Sequence, residues 1–413
     1  MYFEEGLSTM TPALLPSPEP LRPTFVQATG WWPIARCMLS AALAAGGLAA
    51  VGATAAIAAD ATTGSGVVMM ALPAKPAAVR AYWTPERMRN ARSLDLPQTS
   101  TTPVPLADLS PDLPAAAVTT VAGAGKPPSL AVKPDLENRL FEPDPTAEAG
   151  VDSGAVEPQN AGSRGAHFSS SRVFPDGATT AYPYRTVGKI FFTKPGEGDF
   201  ICSGAVQRPR VVTTAGHCVH SGNGNPNAYY TNFVFIPSYR AGIAPYGSWT
   251  PVFVITTATW INGGGAVPNG ADYALFQMAD LNGRRIGDVT GYLGYATGKL
   301  RPNHAHLLGY PGNLDSGERM HQVTAQSFAA DTNGAVIYGS DMRGGSSGGP
   351  WVQNFGVPSA GQTGGVNAQL NTIIGVTSYG PTAVGPFYQG SSTMDSRFVT
   401  MLNTVCGRRT GNC

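Results

Sequence analysis

The sequence predicts an all-β body that closes with one helix, preceded by a long N-terminal part without regular periodicity. From roughly Val173 onward, short runs of β-branched and aromatic residues alternate with Gly, Asn and Pro. Many short strands with turn signals at this spacing favour an antiparallel sandwich or barrel over alternating βαβ units. No internal repeat interrupts this pattern.

The predicted strands follow one another along the whole C-terminal part of the chain. They cover Val187–Phe192, Ile201–Gln207, Val211–Thr214, Asn232–Ile236, Val252–Thr257, Tyr273–Gln277, His306–Tyr310, Gln322–Phe328, Val336–Gly339, Pro350–Gln353 and Thr372–Ser378.

The last segment has a different spacing of apolar residues, which is that of a helix. The residues concerned are Met394, Phe398, Met401, Leu402 and Val405. Ser392 or Thr393 precedes them and is available as the N-cap. One C-terminal helix is therefore expected to pack on the β body.

Composition limits the classes of partner. Of 413 residues, 13 % are charged, and the formal net charge is +1. A nearly neutral chain without basic or acidic tracts offers no electrostatic basis for binding nucleic acid or an anionic membrane. We therefore expect no nucleic-acid partner.

The N-terminal 59 residues have the features of a long export leader. An uncharged Ala/Gly/Leu stretch runs from Met38 to Ala59, with Arg36 just before it and Asp60 just after. Ala56–Ala58 supplies the small-x-small pattern of a signal-peptidase site. Residues 1–59 are predicted to be a signal peptide. The alternative is an uncleaved membrane anchor, since about 20 apolar residues can span a bilayer.

Residues 60–172 are rich in Pro, Ala, Ser, Thr and Asp and keep no apolar periodicity. Such a segment buries too little apolar surface to offset its ordering entropy. We expect a mostly disordered propeptide or linker, with a short helix around Pro85–Ser93. The functional interpretation is a pro-segment removed on maturation, and the alternative is a flexible spacer before a domain at 173–413.

Cysteine usage also indicates export to an oxidising compartment, so that the protein is secreted or periplasmic. Cys37 lies in the leader, which leaves Cys202, Cys218, Cys406 and Cys413. An even number in an exported domain suggests two disulfides. Three pairings are possible, of which Cys202–Cys218 with Cys406–Cys413 needs the fewest assumptions. A zinc site lacks the paired CxxC spacing that it would need.

Two motifs about 130 residues apart suggest nucleophilic catalysis. Thr213–Cys218 reads TTAGHC and Gly345–Pro350 reads GSSGGP. A serine hydroxyl is a weak nucleophile until a neighbouring base takes its proton. A histidine and a serine in a glycine-rich turn, brought together by the fold, would supply that pair.

Together with Asp272–Leu275 (DYAL) and Gly375–Gly380 (GVTSYG), these motifs stand in the order His, Asp, Ser, specificity strand. In this the chain resembles the chymotrypsin-like serine peptidases, in particular the bacterial glutamyl-endopeptidase-like branch; Thr180–Arg185 is also similar. The resemblance covers residues 173–413. It implies two six-stranded antiparallel barrels and a secreted, trypsin-like serine endopeptidase acting on proteins or peptides, with no cofactor and no metal. We expect a monomer.

The resemblance also implies roles for individual residues. His217 would be the general base, Asp272 would orient its imidazole, and Ser347 would be the nucleophile. The amides of Gly345 and Ser347 would form the oxyanion hole. Cys218 matches the family disulfide that ties the histidine loop to a strand, with Cys202 as its partner.

Ser346 stands where animal digestive relatives carry an aspartate that pairs with a new N-terminal ammonium. Without that carboxylate, this activation switch cannot operate here. Latency would come from a pro-segment covering the cleft or from another N-terminal contact. Cleavage is expected near Arg172–Val173, which would make the precursor a zymogen.

Specificity is the least determined property. Asp341, six residues before Ser347, matches the acidic pocket floor of trypsin-like relatives and favours a basic residue before the scissile bond. Glutamyl-type relatives use a histidine where Thr377 stands, which argues against a Glu preference. Arg343 could neutralise Asp341. Ser378 and Gly380 match the family strand that binds the substrate backbone, and Thr377 is the third predicted substrate-binding residue of this stretch.

Two other interpretations remain at this point. A non-catalytic homologue would use the same scaffold as a binding module. A membrane-tethered protease would keep its leader uncleaved, with the linker holding the catalytic domain away from the surface.

Overall fold

A computed structural model describes residues 62–64, 66–97, 104–105, 122–142, 166–331, 334–357, 369–381 and 387–413. The described residues lie in one compact unit, Ala56–Cys413. The predicted leader and its signal-peptidase site lie outside the described residues. No described helix is long and apolar enough to cross a membrane.

Strands dominate the described chain, and short helices connect or flank them. The strands are β1 (Thr62–Gly64), β2 (Val67–Ala71), β3 (Arg92–Ser93), β4 (Val104–Pro105), β5 (Ala122–Gly123), β6 (Phe168–Arg172), β7 (Val187–Lys194), β8 (Gly198–Arg208), β9 (Val211–Thr214), β10 (Thr231–Pro237), β11 (Pro251–Thr257), β12 (Ala274–Met278), β13 (Gly294–Ala296), β14 (His304–Gly309), β15 (His321–Ala330), β16 (Ala335–Gly339), β17 (Pro350–Gln353), β18 (Thr372–Val376) and β19 (Tyr388–Ser392). The α-helices are α1 (Pro76–Tyr82), α2 (Pro85–Asn90), α3 (Ala258–Ile261), α4 (Ile286–Thr290) and α5 (Ser396–Arg408).

The first sheet contains the six body strands β7 to β12, in the order β11-β12-β9-β8-β7-β10. All neighbours on this path are antiparallel. Its interior is aromatic: Phe192 stacks between Phe200 and Tyr230, and Phe233 packs on Phe276. These strands are buried on both faces, since successive residues such as Phe191 and Phe192 enter two different core clusters, which explains their nearly continuous β-branched and aromatic runs.

The second sheet contains the body strands β13 to β19, in the order β19-β16-β15-β14-β17-β18-β13. Its core includes Leu307, Val323 and Trp351, all fully buried. The predicted all-β fold of two antiparallel halves is confirmed, with two differences in the second half. It has a seventh strand, and β13 runs parallel to β18.

Each strand predicted from the sequence overlaps an observed strand. The sequence missed β13 and β19, whose sequences are GYA and YQGSS. Both contain glycine and no β-branched residue, so local propensity carries no signal for them. Their neighbours in the sheet determine their conformation.

The predicted C-terminal helix is α5, which buries Phe398, Met401, Leu402 and Val405. Its N-cap is Asp395, whose carboxylate accepts a hydrogen bond from the Arg397 amide at 2.8 Å. The predicted caps, Ser392 and Thr393, were wrong. A carboxylate is as good a cap as a hydroxyl, and here it also pairs with the Arg397 guanidinium.

The segment 60–172 differs from the expectation of mostly disordered chain wherever the structure describes it. β2 adds to the edge of the first sheet by antiparallel pairing with β11. Helices α1 and α2 follow, the second at the position of the predicted short helix. β6 pairs with β15 of the second sheet.

The physical reason is that the described part of this segment buries apolar residues in core clusters shared with the body. Val67, Val79, Trp83 and Met88 each expose 5 % or less and belong to a core cluster shared with body strands. Sequence periodicity reports an autonomous amphipathic element and does not detect docking of isolated side chains.

Candidate active site

His217 lies in the 3-10 turn Gly216–Cys218 that follows β9. A disulfide joins Cys218 to Cys202 of β8, and a second joins Cys406 to Cys413. Each cysteine therefore pairs with its nearest cysteine in the sequence, which is the pairing that needed the fewest assumptions. The first disulfide fixes the histidine turn to the centre of the first sheet.

Asp272 lies two residues before β12, next to the histidine turn, and is fully buried. One carboxylate oxygen accepts the His217 backbone N–H at 2.8 Å. The other lies 2.8 Å from His217 Nδ1 and accepts the Ser378 hydroxyl at 2.6 Å. Three donors thus compensate the burial of one carboxylate.

This arrangement determines which ring nitrogen of His217 is free. An ionised carboxylate only accepts hydrogen bonds, so Nδ1 carries the proton in the neutral ring and Nε2 has a free lone pair. Nε2 is buried and has no hydrogen-bond partner among the described residues. The imidazole is therefore oriented as a base directed away from Asp272.

Ser347 comes from the other half of the molecule, in the turn before β17. Its backbone carbonyl accepts the Ser203 amide of β8 at 2.7 Å. Gly348 is so close to the first sheet that an added Cβ would lie 2.1 Å from Thr214 Oγ1 and 2.7 Å from the Ala215 amide. The serine turn therefore packs on the chain that leads into His217. Ser347 Oγ is buried and lacks a partner among the described residues.

Gly345 has a left-handed backbone with φ of 89°, a conformation that disfavours side chains. An added Cβ would also meet the Tyr310 carbonyl at 2.6 Å. The Gly345 N–H donates to the carbonyl oxygen of Leu94, the residue that directly follows β3, at 2.9 Å. The proposed oxyanion donor therefore already holds a carbonyl oxygen.

Ser346, directly before Ser347, is hydrogen-bonded inside the second half. Its hydroxyl donates to Arg343 O and accepts Gln389 Nε2, each at 2.7 Å. These bonds hold the turn without a carboxylate. They also make Ser346 a poor competitor for the role of nucleophile, since its oxygen is already engaged.

Asp341 and Thr377 are the predicted pocket residues. Asp341 is 4 % exposed, and its Oδ1 lacks a hydrogen-bond partner among the described residues. Burial raises its pKa, opposed by a hydrogen bond from the Ser170 hydroxyl and by the charge of Arg343. The Thr377 hydroxyl oxygen accepts a hydrogen bond from Trp351 Nε1 at 3.0 Å, so it is engaged inside the protein core.

Ser378 and Gly380, predicted to bind substrate backbone, have different hydrogen-bond partners. Ser378 directs its hydroxyl to Asp272, a role that sequence reasoning missed. The Gly380 amide donates to Pro97 O at 3.3 Å. A serine two residues before glycine carries no sequence signal for binding an aspartate more than 100 positions away.

One cluster of possible metal ligands exists among the described residues, formed by Cys202, His217 and Cys218. Its two sulfurs are bonded to each other. A disulfide offers no thiolate, which is the form that binds metals. These residues therefore do not fit a metal site while the disulfide is intact.

Comparison with known proteins gave related peptidases, and no family model matches the chain. A glutamyl endopeptidase of Bacillus licheniformis is 27 % identical over 174 residues, which are 42 % of this chain and 50 % of that protein. A protein named extracellular metalloprotease, from Bacillus subtilis, is 26 % identical over 190 residues, 45 % of this chain and 56 % of that protein. The chain thus spans about half the length of these relatives.

Among solved structures, the protease Anisep of Arthrobacter nicotinovorans is 29 % identical, with a TM-score of 0.45, covering 55 % of this chain and 98 % of that one. A Glu endopeptidase is 21 % identical, with a TM-score of 0.44, covering 58 % and 97 %. The match to the first relative agrees with the resemblance to the glutamyl-endopeptidase branch that the sequence motifs carry. The extracellular relative and the two disulfides agree with export.

Proposed function

We propose that this protein, which resembles the glutamyl-endopeptidase branch of the chymotrypsin-like serine peptidases, is a secreted serine endopeptidase. The observation that carries the proposal is the buried pair of Asp272 and His217 Nδ1, 2.8 Å apart, with the turn that holds Ser347 packed on the chain that leads into His217. Ser347 Oγ and His217 Nε2 are both buried and have no hydrogen-bond partner, including each other, in the part of the chain that the structure describes, and their complementary chemistry suits a nucleophile and its base.

The reaction is acyl transfer. Ser347 Oγ attacks the carbonyl carbon of the scissile bond while His217 Nε2 takes its proton, and Asp272 stabilises the imidazolium that forms. The tetrahedral oxyanion accepts hydrogen bonds from the Gly345 and Ser347 amides, and each bond lowers the activation free energy by about 3 kcal/mol. The C–N bond then breaks and the amine leaves with the proton from His217. Water repeats these steps on the acyl-enzyme.

A serine-reactive fluorophosphonate tests the nucleophile without requiring a known substrate. Ser347 Oγ would form the P–O bond and fluoride would leave. In the mature protein, we expect mass spectrometry to locate the label on Ser347. Ser347→Ala should remove the label and lower peptide cleavage about 10⁶-fold, whereas Ser396→Ala, at an exposed serine of the body, should change neither. Labelling of Ser346, or activity of Ser347→Ala within tenfold of wild type, would contradict the proposal.

The pocket supports a preference for Lys or Arg before the scissile bond. Asp341 presents a buried carboxylate with one unpartnered oxygen, which a cationic side chain would satisfy. Thr377 offers no cation to receive a glutamate, and its oxygen is engaged by Trp351.

Cleavage-site profiling on a peptide mixture tests this specificity. We expect cuts after basic residues, and Asp341→Asn should lower kcat/KM for them by about two orders of magnitude while Asp288→Asn leaves it unchanged. Such a loss corresponds to about 2.7 kcal/mol, the cost of an unpaired charge in a desolvated pocket. Dominant cleavage after Glu would overturn the assignment. It would leave the triad intact.

A further inference from the structure

The segment Arg92–Pro97 crosses the proposed substrate cleft. β3 pairs in parallel with β8, in the register Arg92 with Phe200 and Ser93 with Ile201. The next residue continues the contact, since the Leu94 amide donates to Ile201 O at 3.1 Å. The segment thus enters the cleft as an added strand beside the Cys202 strand.

At its centre the segment occupies the proposed oxyanion donor. Leu94 O accepts the Gly345 amide at 2.9 Å. Ser93 and Asp95 lie against the same turn: an added Cβ on Gly345 would lie 3.2 Å from Ser93 Oγ, and one on Gly344 would lie 3.1 Å from Asp95 Cα. A substrate carbonyl cannot reach the Gly345 amide while Leu94 O holds it.

At its far end the segment binds Gly380, which is predicted to bind substrate backbone and lies beyond the end of β18. Pro97 O accepts the Gly380 amide at 3.3 Å. Leu96 is 1 % exposed, and its Cδ1 would lie 3.0 Å from a Cβ on Gly380. Backbone bonds at both ends and a buried side chain between them are the way in which a peptide is held along a sheet edge.

Anchors outside the cleft fix the segment in place. Trp83 is buried against Phe191 and donates from Nε1 to Asn232 O at 2.5 Å. Tyr82 and Arg87 both bind the Asp199 carboxylate, at 2.8 and 3.1 Å. Because the segment and the cleft belong to one chain, docking is intramolecular and needs little affinity to fill the cleft.

We propose that residues 92–97 are an autoinhibitory plug that keeps the uncut chain latent by occupying the backbone amides of Gly345 and Gly380. The proposal rests on the proposed function, since a plug matters only if Ser347 is a nucleophile. Latency here needs no ammonium–carboxylate switch, which agrees with the hydrogen-bonded Ser346. Activation is then removal or displacement of the segment and not construction of the turn.

The test compares the uncut chain with its shorter mature form in one preparation, separated by size after brief fluorophosphonate labelling. We expect the mature form to be labelled at least tenfold faster than the uncut wild-type chain. In the uncut chain, Leu96→Asp places a charge at a buried site and should raise the labelling rate at least tenfold. Leu96→Ala, which removes only apolar contact, should raise it less.

Glu86→Gln is the matched control, because this exposed side chain lies on α2, just before residues 92–97 and outside them. It should leave the labelling rate of the uncut chain unchanged. Equal labelling of the uncut wild-type and mature forms would overturn the plug and leave the peptidase proposal standing. So would rapid cleavage of the Leu94–Asp95 bond, which would make the segment a substrate. Absence of label from both forms would instead overturn the proposed function.

Discussion

The body at 173–413 and the described part of the N-terminal region at 62–142 become ordered in different ways. The body has its own cores on both sheets, with residues such as Phe192, Phe276 and Trp351 buried among body neighbours. The described part of this N-terminal region forms short strands and helices whose apolar residues join core clusters built mainly by the body. A stretch of chain whose composition is typical of disorder is thus ordered by packing on a partner surface, which here belongs to the same chain.

This difference suggests that substitutions in the body affect chemistry or global stability, whereas substitutions in the N-terminal region affect its docking on the body. The predictions below test that separation, beginning with the largest effect.

Replacing Asp272 by Asn should leave the mature body folded and lower kcat about 10⁴-fold. An amide can donate to His217 Nδ1, which favours the tautomer with the proton on Nε2 and removes the base. Asp280→Asn is the matched control: Asp280 binds the Arg210 guanidinium at 2.6 Å, away from the site. Steady-state kinetics on the mature form measures both. A loss below tenfold for Asp272→Asn would exclude Asp272 from the triad.

Removing the carboxylate of Glu318 should destabilise the body by about 3–5 kcal/mol. Lys189 is 2 % exposed on β7, and its ammonium lies 2.8 Å from Glu318 Oε1. Burial lowers the Lys189 pKa, opposed by the charge of Glu318. Glu318→Ala leaves this cation unpaired in the core.

Urea unfolding of the mature protein measures this loss. Glu197→Ala removes the partner of Lys194 at a surface where Glu197 is 58 % exposed. That control should cost less than about 1 kcal/mol. Equal costs for the two variants would mean that the buried ion pair contributes no more than a solvated one.

The sequence predicted the body well because its strands and the C-terminal helix follow regular periods. It also placed His217, Asp272 and Ser347 in order through motifs that carry a resemblance. It did not predict Ser378 as a ligand of Asp272 or Leu94 at the Gly345 amide, because both contacts join distant positions. Such contacts depend on how the two halves and the segment pack, which no local pattern encodes.

Trp83→Ala should weaken the docking of the N-terminal region on the body and leave the body folded. Removing a buried indole costs about 3 kcal/mol, and here the cost falls on docking. In the uncut chain, we expect hydrogen exchange to accelerate at the Leu94 and Gly345 amides, which bond across the interface. Amides of β12 should be unaffected. Uniform acceleration through both sheets would show that the segment and body unfold as one cooperative unit.

The smallest effect concerns the junction of the two regions, where Asp315 binds both Arg172 of β6 and His321 of β15. Burial would raise the Asp315 pKa, but the hydrogen bonds and charges of His321 and Arg172 outweigh it and hold the pKa at about 2. A depressed carboxyl pKa stabilises the folded state above the unfolded value near 4, and this stabilisation is lost as the pH falls towards 2.

Acid unfolding of the uncut chain should therefore show a loss of about 1 kcal/mol over this window, since the site is partly exposed and screened. Asp315→Asn should abolish that pH dependence, whereas Arg172→Gln should only reduce it, because His321 still binds the carboxylate at 2.7 Å. If cleavage after Arg172 releases that side chain, the mature form should behave like Arg172→Gln. An unchanged profile in all three would place Asp315 outside the contacts that stabilise the junction.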